Sequence, residues 1–224
     1  MQNLDCSASF LIVQSGNERS DQKSRTFIEQ ARREQILRAA TETIAEVGLA
    51  KASLARIAAH AGISAALISY HFDGRDDLIN QVAAQVDTEI EQALEQRMAN
   101  AASYVDALRG LITGFVHYTA KHRTQMYALY AIASSARART GTSNRHDREA
   151  IAASLSGLLI EGQQHREFRD FSVPVMAATL ASVLESVPRE LYSKPELDVD
   201  TYAEELAEIF AIAVRRTGRG RRRG

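Results

Sequence analysis

Hydrophobic side chains recur every three or four residues over most of the 224-residue chain, the spacing that places them on one face of an α-helix. No stretch alternates polar and apolar residues for long enough to predict a strand. The pattern therefore predicts an all-α fold of about nine helices. Two short helices are predicted between residues 53 and 72, and the others over about 26–47, from Asp73 or Gly74 for about seven turns, and near 103–121, 124–138, 145–165, 172–187 and 199–216.

Breaks in the pattern divide the chain into a disordered arm (1–25), a first helical domain (26–73), a second (74–217) and a basic tail (218–224). The long helix from about residue 74 is either a connector between the domains or a core helix. A loop is predicted over 187–198, which contains two prolines. Six arginines lie between Arg215 and the last residue, so this end is expected to be solvated and able to contact phosphates without sequence preference.

The stretch from Ser53 to Phe72 predicts two short helices joined by a tight turn. Ser53 and Ser64 are residues that cap helix starts, and Gly62 supplies the left-handed backbone that a helix end needs. Small and polar residues occupy the outward or terminal positions of the second helix: Ser64, Ala65, Ala66, Ser69 and Tyr70. This arrangement is typical of the helix that a helix-turn-helix places in a DNA major groove, although an ordinary helical hairpin would share it.

Composition adds little to this picture. The formal net charge is −1, so any contact with nucleic acid depends on where the charges lie. The single cysteine, Cys6, cannot build a disulfide framework, which favours a reducing cytoplasm. No apolar run approaches the length of a membrane span.

The segment from Arg33 to Leu78 resembles the tetracycline-repressor (TetR) family of bacterial regulators. The matching residues are Ile36-Leu37-x-Ala39-Ala40, Gly48, Ser53-Leu54-x-x-Ile57-Ala58, Ala61-Gly62-Ile63-Ser64, Tyr70-His71-Phe72 and Arg75-x-x-Leu78. The remaining helices agree with the family only in number and order. The resemblance implies a homodimer that places two copies of the helix at 64–70 on a palindromic DNA operator. It also implies a small-molecule effector that tilts the helix from residue 74, and in most members the unliganded protein is a repressor.

The residues predicted to contact DNA are Lys51, Ser53, Ser64, Ala65, Ala66, Ser69, Tyr70, His71 and Arg75. Ala65 and Ala66 are small enough for the backbone to approach base edges, unless they are simply helix formers. Tyr70 is expected on a base or a phosphate, or else packed on the helix end. The family often has Tyr where Ser69 stands and Lys where Arg75 stands, so these two contacts are expected with a shorter hydroxyl and a different cation geometry.

Aromatic and apolar residues with interleaved polar groups predict an effector pocket in the second domain, with an ordinary core as the alternative. The effector is expected to be apolar or amphipathic. The predicted lining residues are Phe115, Tyr118, Met126, Tyr127, Leu129, Tyr130, Leu158, Gly162, Met176 and Leu180.

Two stripes on the last two helices predict the subunit interface of the homodimer, as a four-helix contact. These stripes consist of Met176, Ala177, Leu180, Ala181 and Leu184, and of Leu206, Ile209, Phe210 and Ala213. Alternatively, the two helices cover only their own subunit.

Two other classes of function compete with a DNA-binding regulator. An enzyme is disfavoured because no catalytic motif, metal-ligand spacing or phosphate-binding loop is present in the sequence, and no cofactor is expected. A helical adaptor that has lost DNA or ligand binding remains the alternative, because the charge of the first domain is balanced and Ser69 departs from the family pattern.

Overall fold

A computed structural model describes residues 27–98, 101–140 and 145–216. These residues form nine α-helices, which confirms the predicted all-α fold. The helices are α1 (Phe27–Val47), α2 (Leu54–Ala61), α3 (Ala65–His71), α4 (Gly74–Met98), α5 (Tyr104–Lys121), α6 (Arg123–Thr140), α7 (Arg145–Gln164), α8 (Val173–Ser193) and α9 (Val199–Val214). A 3-10 turn (Leu49–Lys51) lies between α1 and α2. The predicted arm and basic tail lie outside the described residues.

The chain divides into two compact units that do not follow the predicted boundary at residues 73–74. Among the described residues, the N-terminal unit contains 27–89 and 122–140, and the C-terminal unit contains 90–98, 101–121 and 145–216. Helix α6 joins the N-terminal unit because it packs against α1 and the 3-10 turn.

Two clusters of buried apolar side chains form the interior of the N-terminal unit. One joins α1 to α2, α3 and the first turns of α4, with Ile36, Ile57, Ile68 and Leu78 fully buried. The other contains Ile44, Ala45, Leu49, Ala52, Ile79 and Ala128, and so includes α6. Burial of this apolar surface is the main force that fixes these short helices, since helices of seven or eight residues are unstable alone.

The C-terminal unit has one core built around α5, which packs against α7, α8 and α9. Its centre is apolar, with Leu108, Ile112 and Leu159 fully buried. Near the end of α5, the buried Thr119 donates its hydroxyl to the carbonyl oxygen of Phe115 at 2.8 Å. This hydroxyl therefore needs no partner from another helix.

Helix α8 continues through Pro188 to Ser193, so the loop predicted over 187–198 is wrong in its first half. A proline inside a helix removes one backbone hydrogen bond and costs about 3 kcal/mol. Val187, Pro188 and Leu191 are all buried in the core of the C-terminal unit. Full burial of one large apolar side chain contributes about 1.5–3 kcal/mol, so this packing offsets the cost of the proline.

Candidate nucleic-acid interface

Helices α2 and α3 form the predicted helix-turn-helix. One residue caps the start of each helix, and one glycine ends α2. The Ser53 hydroxyl accepts the Arg56 amide at 3.3 Å, and the Ser64 hydroxyl accepts the Leu67 amide at 3.2 Å. Gly62 ends α2 with φ +67° and ψ 32°, the left-handed conformation that glycine adopts without strain. These local signals were all predicted from the sequence.

Helix α3, the predicted recognition helix, separates an inner apolar face from an outer face. Ile68 is fully buried, and Phe72 just beyond the helix is 2% exposed. The outer residues are all exposed: Ser64, Ala65, Ala66, Ser69 and Tyr70. The Tyr70 side chain is 74% exposed, the most exposed large hydrophobic residue of the described chain. An exposed aromatic ring beside small side chains can reach the base edges or the phosphates of a groove.

The hydroxyl of Ser69 donates to the carbonyl oxygen of Ala65 at 3.3 Å, one turn earlier in the same helix. The edge of the Tyr70 ring meets the ring of His71, with centroids 5.0 Å apart and planes at 85°. His71 is half-buried, so it is less available to a phosphate than the residues before it. Lys51 and Ser53 are exposed at the start of α2, and Arg56 adds an exposed cation within it.

Arg75, which the sequence predicts to contact a DNA phosphate, is bonded to the backbone of its own chain. Its Nε donates to the carbonyl oxygen of Ala52 at 2.9 Å, and a second guanidinium nitrogen donates to that of Leu49. The remaining nitrogen lies 3.6 Å from a carboxylate oxygen of Asp76. Arg75 therefore holds the backbone that precedes α2, and its contact with a DNA phosphate stays a prediction.

Arg33 is a residue of this site that sequence reasoning missed. Its guanidinium stacks over the Phe72 ring, 4.3 Å from the centroid, and donates to the carbonyl oxygen of His71 and to the side chain of Gln81. These partners lie 38 and 48 residues away, so helical periodicity carries no sign of them. Only the position of an arginine beside the apolar stripe of α1 could have drawn attention to it.

The residues predicted to line an effector pocket fall into both units. Phe115, Tyr118, Leu158, Gly162, Met176 and Leu180 lie in the C-terminal unit, whereas Met126, Tyr127, Leu129 and Tyr130 lie in the N-terminal unit. Met126 is 1% exposed, and Tyr127 stacks on Tyr130 with centroids 5.9 Å apart. Leu158 and Leu180 belong to the core of the C-terminal unit.

Gly162 has a packing role in that core. Its position lies directly against the ring of Phe168, which is 2% exposed. Its carbonyl oxygen accepts the amides of Glu167 and Phe168 at 3.0 and 2.9 Å, and so closes the end of α7. The glycine is therefore explained by the fold without a ligand.

His117 bridges α5 and α9. Its Nε2 lies 2.9 Å from a carboxylate oxygen of Asp200. Its Nδ1 is buried and has no hydrogen-bond partner. A buried ring nitrogen of this kind can accept or donate one more hydrogen bond.

Most residues of the two predicted interface stripes face the core of their own chain. Ala177, Leu180, Ala181, Leu184, Leu206 and Phe210 are buried there, while Met176, Ile209 and Ala213 are partly or fully accessible. The stripes are the inner faces of α8 and α9. Apolar residues on the outer faces include Val175, Ile209 and Ile212, exposed by 65%, 60% and 59%. A shallow open groove runs along α8 and is lined by Pro174, Val175, Ala178, Thr179, Ser182, Val183 and Ser186.

Residues 36–82, which contain the helix-turn-helix, match the model of the bacterial regulatory proteins of the tetR family. The match covers about a fifth of the chain, so it shows that this segment is similar to the helix-turn-helix of that family. A relative named HTH-type transcriptional regulator BetI, from Stenotrophomonas maltophilia, is 36% identical over 88 residues. That alignment covers 39% of this chain and 45% of the regulator, so it spans less than half of either protein.

The fold extends beyond the matched segment. A tetR-family regulatory protein from Rhodococcus RHA1 has a TM-score of 0.70 and 18% identity, over 83% of this chain and 97% of that one. The regulator FadR from Bacillus subtilis, in complex with stearoyl-CoA, has a TM-score of 0.65 and 20% identity, over 81% and 99%. At these identities the similarity shows a shared fold.

Two further observations on the described residues concern membranes and metal ions. None of their helices combines the length and apolarity needed to cross a membrane. Within the same residues, no group of three or more histidine, cysteine or acidic side chains is arranged to hold a metal ion.

Proposed function

We propose that this chain is a tetR-family, ligand-responsive transcriptional regulator that binds a palindromic operator as a homodimer and represses until an effector releases it. The observation that carries the proposal is the outer face of α3. Five small or polar residues are exposed there or at the helix start, including Tyr70, while Ile68 on the other side of the helix is fully buried. A helix held in this way can enter a major groove without losing its packing.

The direct test uses the full-length protein and a pool of random-sequence duplexes. Repeated selection should enrich a near-palindromic sequence whose half-sites are separated by about 10 base pairs or a multiple of it, the repeat of the double helix. Binding should weaken as the salt concentration rises, because phosphate contacts release counterions. A pool that remains random after selection contradicts the proposal and favours the helical adaptor.

The homodimer is proposed to form through the outer faces of α8 and α9. Val175, Ile209 and Ile212 expose apolar side chains there, and a second copy of the chain could cover them. The replacement Ile209→Glu should therefore convert the dimer to a monomer, as measured by light scattering after gel filtration. Ile160→Glu is the matched control, because Ile160 is also exposed, by 43%, but lies on α7. Loss of the dimer in both variants, or in neither, contradicts this interface.

The effector is proposed to be apolar or amphipathic and to bind near Phe115 and Tyr118 in the C-terminal unit. Both side chains are partly accessible on α5, and His117 between them carries a buried ring nitrogen that could bond a polar group of the ligand. FadR, which shares the fold, holds an amphipathic acyl compound. Stearoyl-CoA is therefore a suitable first probe, with coenzyme A alone as control. Quenching of tyrosine fluorescence that is absent in Tyr118→Leu would support the site, and equal quenching in that variant would contradict it.

A further inference from the structure

We infer that Arg33 and Arg75 are positioning residues that fix the recognition helix α3 and the start of α2 to helix α4 in one orientation. The inference rests on the proposed function, since it explains how the outer face of α3 is held for DNA. Both arginines act by donating hydrogen bonds to groups of their own chain, and the inference assigns neither of them a contact with a DNA phosphate.

The first clamp joins α4 to the backbone before α2. Arg75, in the first turn of α4, donates to the carbonyl oxygens of Leu49 and Ala52, both of which are buried residues. Ala52 immediately precedes Ser53, the capping residue of α2. Two carbonyls three residues apart require two donors at a fixed separation, which the planar guanidinium provides. A lysine ammonium carries the same charge but cannot reproduce this paired geometry.

The second clamp joins α1 to the end of α3 and to α4. Arg33 donates to the carbonyl oxygen of His71, one of the last carbonyls of α3, which have no partner within the helix. It also donates to Oε1 of Gln81 in the second turn of α4. Its guanidinium lies over the Phe72 ring, 4.3 Å from the centroid. The same side chain therefore contacts the end of α3, the residue that follows it and helix α4.

Hydrogen bonds extend this second clamp into the link between α3 and α4. The amide of Gln81 donates to Asp77 at 2.9 Å, and Asp77 accepts the backbone amide of Asp73 at 2.9 Å. Asp73 and Gly74 join the two helices, and Gly74 has φ +84°. Glycine adopts this region of φ without steric cost, which lets the chain turn sharply from α3 into α4. The directional bonds of Arg33 and Arg75 act across this turn and fix the orientation of α3 further.

The charge-conserving variants Arg33→Lys and Arg75→Lys test the inference in the full-length protein. The DNA probes are a duplex that the wild-type protein selects from a random pool and a random-sequence duplex of equal length. Both variants should bind the selected duplex about ten- to a hundredfold more weakly, the effect of losing one or two charge-assisted hydrogen bonds. Affinity for the random duplex and the dependence of binding on salt should stay within about twofold of wild type, because phosphate contacts are kept. Arg38→Lys is the matched control, since it makes the same charge-conserving change at an exposed arginine of α1, and it should bind both duplexes like wild type.

Two results would overturn the inference. If Arg75→Lys binds the selected duplex like wild type while Arg75→Gln lowers the salt dependence, Arg75 is a phosphate contact. If Arg33→Lys and Gln81→Leu weaken binding independently, so that their effects add in the double variant, the second clamp does not act as a unit. Gln81→Leu also serves if Arg33→Lys fails to fold, because it removes one acceptor from a half-buried surface position.

A measurement without DNA separates this inference from the proposed function. In the free protein, amide hydrogen exchange should accelerate at residues 49–53 in Arg75→Lys and at 71–74 in Arg33→Lys, while α5 stays protected. Unchanged exchange at both segments overturns the clamps even if the wild-type protein binds DNA. Accelerated exchange in a protein that selects no duplex supports the clamps and contradicts the proposed function.

Discussion

Gly162 lies so close to Phe168 that a β-carbon at residue 162 would come within 2.3 Å of the Phe168 ring. The ring is buried, so it cannot move aside into solvent. Gly162→Ala should therefore lower the free energy of unfolding by roughly 1–3 kcal/mol, the usual cost of overpacking a core. Chemical denaturation monitored by circular dichroism measures this difference.

Gly157→Ala in the same helix is the matched control. Nothing lies within 4 Å of a β-carbon at residue 157, so this change should raise the free energy of unfolding by about 0.5–1 kcal/mol through the higher helix propensity of alanine. Destabilisation of similar size in both variants would show that helix α7 itself, and not the contact with Phe168, is sensitive.

Tyr70→Ala should weaken binding to the selected duplex without changing the thermal unfolding temperature. The side chain is 74% exposed, so its removal leaves no cavity in the protein, whereas it would remove a contact from the DNA surface. Gel-shift titration and thermal unfolding measure the two effects. Tyr192→Ala, at a tyrosine 37% exposed on α8, is the control and should leave DNA binding unchanged. Wild-type affinity in Tyr70→Ala would remove Tyr70 from the interface.

The stability of helix α9 should depend on pH through Asp198. The Thr201 hydroxyl and amide donate to its carboxylate at 2.7 and 3.1 Å, and these bonds hold the pKa of Asp198 below its ordinary value of 3.8. Because the folded pKa is lower than the unfolded one, the carboxylate stabilises the fold above pH 3.8 and loses this effect as the pH falls through the folded pKa.

Asp198→Ala should therefore be less stable than wild type at pH 7, and the two proteins should converge in stability as the pH is lowered below the ordinary pKa of the carboxyl. Urea denaturation at a series of pH values measures the difference. Asp198→Asn is the control, because it keeps a side-chain oxygen at the helix start without a titrating group. A difference between Asp198→Ala and wild type that stays constant with pH would contradict the argument.

The arginine-rich end provides a fourth prediction, made from the sequence alone. Replacing Arg219, Arg221, Arg222 and Arg223 by serine keeps the length of the chain but removes four positive charges. The salt dependence of binding to a random-sequence duplex should fall by about 0.9 for each arginine that contacts a phosphate. The preference for the selected duplex over the random one should rise, because only the sequence-independent term is lost. An unchanged salt dependence would show that the tail does not contact DNA.

The helix-turn-helix was predictable because its signals are local. Ser53, Gly62 and Ser64 form hydrogen bonds with backbone groups no more than four residues away. Their spacing in the sequence is therefore enough to predict where the two helices begin and where α2 ends. The exposed face of α3 follows from the same short-range pattern. The partners of Arg75 lie 23 and 26 residues away, and no spacing rule connects an arginine to the carbonyls of a distant turn.

Two other differences between the prediction and the structure also arise because the deciding contacts are distant in the sequence. The apolar stripes of α8 and α9 predict a subunit interface or a face that covers its own subunit. A stripe shows that one face of a helix is buried, but it does not show which surface covers that face. Leu180 and Phe210 are covered by their own chain. The sequence predicts that α8 ends before Pro188, because proline disfavours a helix interior. In the structure the helix continues, since Val187 and Leu191 on either side of Pro188 pack into the core.

The packing of α6 within the N-terminal unit determines which residues must be transferred together when a chimeric protein is made from this chain. Ala128 of α6 is fully buried in the cluster that contains Ile44, Leu49 and Ala52. A graft that transferred only residues up to 73 would leave those side chains facing water, and it would be prone to aggregate. A transferable DNA-reading module of this protein must carry residues 122–140 along with 27–89, even though 32 residues separate them in the sequence.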